Sequence, residues 1–166
     1  MTGNMFTIYS ETFVGAGIVA GNPWACRQLY TKEECKETPQ DVNYQVLANY
    51  ANKTASQGLI DSPSNMEGKK VWLFSGTLDH LVNQATMNVV DNYYKHFGSD
   101  VEYINHIAAN HCFPTDNIKL LQTGHDCAHF GPDFINYCGF DGVGSMFKHI
   151  IPNQDVEPLR NKISNW

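Results

Sequence analysis

The stretch V-W-L-F-S-G-T-L-D, Val71 to Asp79, decides how this chain is read. Val71 to Phe74 is continuously apolar and stops at Ser75-Gly76, the pattern of a strand buried on both faces of a parallel sheet. Asp79 lies just past the carboxyl end of that strand. Ligands and catalytic groups of open α/β sheets gather beyond the carboxyl ends of strands, so an acid there is well placed for chemistry. Downstream, Ala85, Val89, Val90, Tyr93, Tyr94 and Phe97 recur at helical spacing, with Asn83 suited to cap the start and Gly98 to a left-handed stop. Val101 to Ile107 is the next expected strand, and His111 falls in the loop after it.

Strand, acid, helix, strand, histidine is the order found in the last part of an α/β-hydrolase. In such a site a carboxylate orients an imidazole and the imidazole takes a proton from a nucleophile, all from distant parts of the chain. Asp79 and His111 are the candidate acid and base. A nucleophile is not in view, because no G-x-S-x-G occurs anywhere in the sequence. Ser10 falls on an expected helix, Ser75 at a strand end and Ser145 at a helix start. None has the strand-to-helix elbow that exposes a serine and supplies an oxyanion donor from the next amide. Asp116 and Asp141, the other acids near the histidine loop, read as turn residues beside Pro114 and Gly139.

The rest of the chain is punctuated for one α/β domain over residues 1–166. Thr2 to Ser10 is an expected helix and Gly15 to Ala20 a short strand. Pro39 to Ser56 is a helix opened by Thr38 and stopped near Gly58, and Asp61 to Lys70 is a turn-rich connection. Ala108 to Gly139 is a long Gly, Pro and Cys-punctuated loop, followed by a final helix near Val143 to Ile151. Alternating strands and helices imply a parallel sheet with flanking helices, joined by right-handed crossovers. Trp24 and Trp72 are expected in the core rather than in a cleft.

Composition sets limits on partners. With 42% hydrophobic and 17% charged residues the chain has the content of a packed domain, and a net charge of −6 without any Lys/Arg run argues against nucleic acid. No apolar segment approaches the roughly 20 residues that span a bilayer. Of five cysteines, at 26, 35, 112, 127 and 138, none forms a C-x-x-C pair. Cys26 with Cys35 and Cys127 with Cys138 would each close a short loop, as in a protein of an oxidising compartment. Cys112 is then free, or pairs with a displaced Cys127 or Cys138. Asn52-Lys53-Thr54 is a candidate glycosylation site.

Four segments together carry a resemblance. F-V-G-A-G-I-V-A-G-N-P-W-A-C (Phe13 to Cys26), W-L-F-S-G-T-L-D (Trp72 to Asp79), H-C-F-P-T-D (His111 to Asp116) and F-I-N-Y-C-G-F-D-G-V-G-S-M-F (Phe134 to Phe147) look like the extracellular polyhydroxybutyrate depolymerases. That resemblance implies a secreted serine esterase on the C-terminal part of an α/β-hydrolase fold, with Asp79 as triad acid and His111 as triad base. It implies a polyester or short-chain ester substrate and no cofactor. It also places the serine elbow a few residues before Met1, so the expectation is a truncated chain that is inactive alone. Two other functions compete. One is a non-catalytic relative that keeps the fold for binding. The other is a small zinc-stabilised module built on His111, Cys112, His125, Asp126, Cys127, His129 and Cys138, which the absence of paired knuckle spacing disfavours; the expected metal content is therefore none.

Overall fold

The computed structural model describes residues 2–36 and 39–152. Three parallel strands, β1 (Gly15–Val19), β2 (Lys70–Phe74) and β3 (Asp100–Ile104), form a sheet in that order. Register aligns Gly17 with Trp72 and Trp72 with Glu102, so Phe74 and Ile104 end side by side. Strand alternation sends successive residues of β2 to opposite faces. Val71 and Leu73 enter a core with Phe6 of α1 (Thr2–Ile8), Leu47 and Ala51 of α4 (Tyr44–Ser56), and Met87, Val90, Tyr93 and Tyr94 of α5 (Gln84–His96). Trp72 and Phe74 face the other way, stacked at 6.1 Å, into a smaller cluster with Met146 and Ile150 of α6 (Gly142–Ile150).

The G-A-G start of β1 has a packing reason. A Cβ at Gly17 would run into the Met146 side chain, and one at Gly15 would meet first the Lys70 carbonyl of β2 and then Ile150, so the two glycines let β2 and α6 lie close to β1. Trp72 is fully buried, and its indole N–H donates to the Ser145 hydroxyl at 3.0 Å, fixing α6 over β2. Trp24 is also buried.

Differences from the sequence-based expectations are local. The segment expected as one helix from Pro39 is a 3-10 turn, Pro39–Asp41, followed by α4, whose start is capped by the Asn43 side chain accepting from Gln45 N–H at 2.8 Å. Thr38, the expected opener, lies outside the described residues. Two short helices, α2 (Cys26–Leu29) and α3 (Lys32–Lys36), fill the segment between the first two cysteines. The stretch expected as a long loop, Ala108 to Gly139, holds a second parallel pair, β4 (Phe113–Thr115) with β5 (Ile135–Tyr137), and a 3-10 turn at Ile118–Thr123. Both strands are only three residues long, too short for a period to stand out in sequence. No helix among the described residues is long and apolar enough to cross a membrane.

Candidate active site

Beyond the carboxyl ends of β2 and β3 the chain makes two loops that are bonded to each other. Ser75 N–H donates to Ile104 C=O, Thr77 N–H to Ile107 C=O and Leu78 N–H to Ala109 C=O, at 2.9 to 3.0 Å. Gln84, at the first turn of α5, donates to the carbonyls of Ser75 and Asn105 and so staples the two strand ends together. Gly76 is required here for space rather than flexibility. A Cβ at that position would fall on the Ala109 carbonyl, so only glycine lets the loops touch.

The first loop delivers Asp79. Its Oδ1 accepts from the amides of Leu81 and Val82 at 2.9 and 2.8 Å, an Asx-type turn that is complete within four residues. Its side chain is 1% exposed, and Oδ2 lies 2.9 Å from Nδ1 of His111, whose side chain is 23% exposed. An ionised carboxylate only accepts, so with Asp79 ionised Nδ1 is the donor of this bond and Nε2 is the ring nitrogen left for a second partner. That arrangement gives a base with a buried, oriented acid behind it and one basic nitrogen available for proton transfer.

The second loop delivers His111 by longer-range means. Its N–H donates to the Asn110 side chain at 2.8 Å, while the Asn110 amide group donates to Ala128 C=O and the Asn110 backbone N–H to Cys127 C=O. Cys127 is bridged to Cys138, and Cys26 to Cys35. Cys112 is a buried free thiol. Burial first, and then the charge of Asp79, push its pKa up to about 11. Against the imidazole stands the ring of Phe134, edge-on at 5.6 Å.

The other candidates fall elsewhere. Asp141 caps α6 by accepting from Gly144 N–H at 2.9 Å. Ser10 donates to Ser62 C=O, Ser145 accepts from Trp72 and Ser75 is buried; among the described residues no serine hydroxyl is bonded to His111. Asn52 is exposed on α4. The zinc alternative is corrected by the bridge, since Cys127 and Cys138 are spent on each other. Among the described residues no three His, Cys, Asp or Glu side chains form a metal-holding group. Sequence reasoning missed Asn110, Gln84 and Phe134. The glycine of S-G-T was the one available signal that two backbones meet there, while nothing in Asp133-Phe134 announces its backbone conformation.

No protein-family model matches the chain. Among curated proteins it is 36% identical over 156 residues to a poly(3-hydroxybutyrate) depolymerase of Delftia acidovorans, covering 90% of this chain and 31% of that protein. It is 27% identical over 153 residues to a polyhydroxybutyrate depolymerase of Talaromyces funiculosus, covering 90% of this chain and 44% of that protein. Among solved structures it superposes on a PHB depolymerase determined as a serine-to-alanine variant complexed with an R3HB trimer, with a TM-score of 0.78, 25% identity, and 92% of this chain against 48% of that one. The PHB depolymerase of Penicillium funiculosum follows with a TM-score of 0.75, 25% identity, and 89% against 46%. The chain thus spans between about a third and a half of the length of the relatives it matches. Over that span both its sequence and its α/β-hydrolase-like fold are similar to those of polyhydroxybutyrate depolymerases.

Proposed function

We propose that Asp79 and His111 are the acid and base of a serine ester hydrolase acting on poly(3-hydroxybutyrate) or related hydroxyalkanoate esters, with the nucleophilic serine supplied from outside these 166 residues. The observation that carries this reading is the 2.9 Å contact between a buried carboxylate and a partly exposed imidazole, placed past the ends of adjacent parallel strands. In the reaction His111 Nε2 takes the proton of the serine hydroxyl as its oxygen attacks the ester carbonyl. The imidazolium then gives that proton to the departing alkoxide, leaving an alcohol and an acyl-enzyme. Water repeats the sequence, its proton passing through the same nitrogen, and frees the carboxylic acid and the serine. Asp79 stays ionised throughout, holding the tautomer and offsetting the transient charge on the ring.

The substrate class rests on the names of the relatives. A secreted location is supported by two loop-closing disulfides, which persist in oxidising compartments. This chain alone, purified and folded, is expected to give neither turnover of a short-chain chromogenic ester nor covalent labelling by an organophosphonate. Labelling of a serine within it at an esterase-like rate overturns the placement of the nucleophile. Extension upstream through a G-x-S-x-G elbow from the same gene should restore both activities. Full-length protein that binds hydroxybutyrate oligomers without hydrolysing them would instead favour the non-catalytic binding domain.

A further inference from the structure

Two consecutive residues of the segment before β5 adopt left-handed backbone without being glycine: Asp133 at φ 73° and Phe134 at φ 44°. Aspartate tolerates this conformation, but a bulky aromatic does so only where its surroundings over-determine it, and such strain gathers at functional sites. The anchors are visible on both sides. Phe134 C=O accepts from Phe113 N–H at 2.7 Å, two residues past His111, and Phe134 N–H donates to Gly131 C=O. The turn therefore holds Phe134 in fixed register with the histidine loop.

What the strain achieves is the aim of one ring. Phe134 stands at an interplanar angle of 81° to the His111 imidazole, the edge-to-face geometry that aromatic quadrupoles favour, and its ring centroid lies 6.1 Å from that of Phe130. Phe130 in turn packs on His80, the neighbour of Asp79, at 5.0 Å. His80, Phe130 and Phe134 thus form an aromatic chain from the acid loop to the base. Burial does not explain the arrangement, because Phe134 is 43% and Phe130 46% exposed. A ring placed only for core packing would not occupy a strained backbone and remain half in water.

We propose that Phe134 is a positioning residue for His111: it fixes the plane of the imidazole and screens the Nδ1–Asp79 hydrogen bond from water. The inference rests on the esterase reading for its purpose but not for its test, which needs no turnover. The readout is solvent exchange of the His111 Nδ1 proton by NMR on the chain as it is. Phe134→Gly removes the ring and relieves the left-handed backbone, so the fold is retained. Exchange should then rise by about tenfold, the factor that corresponds to an edge-to-face pair of about 1.4 kcal/mol. Phe134→Tyr, which keeps the ring, should restore exchange to the parent rate, and Phe134→Leu, which keeps apolar volume without an aromatic edge, should not. A parent protein without a protected Nδ1 proton, unchanged exchange in Phe134→Gly, or rescue by leucine as complete as by tyrosine would each overturn the proposal. Loss of the esterase reading would show separately, as absent turnover in the upstream-extended protein with exchange behaviour unaltered.

Discussion

The two halves of the dyad are held by opposite strategies. Asp79 is fixed by its own neighbours: the amides of Leu81 and Val82, within three residues, donate to its carboxylate, and the side chain is 1% exposed. His111 is fixed from afar, by Asn110 reaching the disulfide-closed segment, by β4 pairing with β5, and by Phe134 in a strained turn. A locally held group keeps its place as long as its turn exists. A remotely held one depends on every link of a loop with few buried apolar contacts, and such regions open first. The carboxylate is therefore the locally held member of the pair and the imidazole the member held through longer-range links.

The largest effects test whether the two members form one unit. In an upstream-extended enzyme, His111→Ala is expected to lower kcat by on the order of 10⁶-fold, as loss of the base does in a bacterial serine protease. Asp79→Asn should cost roughly 10⁴-fold, because an amide in place of the carboxylate favours the wrong imidazole tautomer. Steady-state ester hydrolysis measures both. If Asp116→Asn silences the enzyme while Asp79→Asn leaves it near full activity, the acid has been assigned to the wrong loop.

Removing the two bridges separately sharpens the contrast. The cysteines are 9 and 11 residues apart in Cys26–Cys35 and Cys127–Cys138, so chain entropy alone makes each worth a similar roughly 2 to 3 kcal/mol. Denaturant unfolding of the Cys26→Ala/Cys35→Ala and Cys127→Ala/Cys138→Ala proteins should give comparable losses. The consequences for the site should differ. Only the second pair closes the loop that Asn110 grips, so only its removal should loosen His111, seen as broadened or shifted imidazole resonances in the folded protein. Equal disturbance of His111 by both would remove the distinction between local and remote support.

Cys112 connects the halves electrostatically. Burial and the Asp79 charge raise its pKa from 9.0 to about 11. Folded protein therefore keeps a proton that the unfolded chain has already released, and stability present below about pH 9 is lost as pH rises towards 11. Thermal unfolding followed across that window should show a base-induced decline that Cys112→Ala reduces, the remainder coming from buried tyrosines whose pKa values burial also raises. Asp79→Asn should lower the Cys112 pKa part of the way, since it removes the second cause and leaves the first. A thiol titration unmoved by Asp79→Asn would show that the acid does not act on this side chain.

What could be read from sequence follows the same division. The apolar run Val71 to Phe74, the periodic helix after it and the Asn83 cap are local signals, and the structure has a strand, a helix and a capping bond of 3.0 Å at those places. The stretch from Ala108 to Gly139 was opaque because its order comes from partners far along the chain. Phe113 meets Phe134 and Asn110 meets Ala128, and no window of neighbouring residues contains such pairs. Three-residue strands carry no period, and a left-handed Asp-Phe pair runs against the residue preferences that identify turns. The split of Pro39 to Ser56 had a nearer cause: Asn43 is the stronger cap, and it starts α4 after the 3-10 turn.

The smallest expected effect isolates the locally built half. Asn83 accepts from Thr86 N–H and caps α5, the helix whose first residue, Gln84, ties Ser75 to Asn105. Asn83→Ala should cost about 1 kcal/mol in denaturant unfolding, the usual loss for a side-chain cap. The Asx turn around Asp79 ends before the cap, since its last donor is Val82 N–H, so the carboxylate should hold its position. His111 Nδ1 exchange should therefore match the parent even though global stability falls. An exchange rate that rises with Asn83→Ala as much as with Phe134→Gly would mean that the imidazole responds to stability in general, and the division between a locally held acid and a remotely held base would fail.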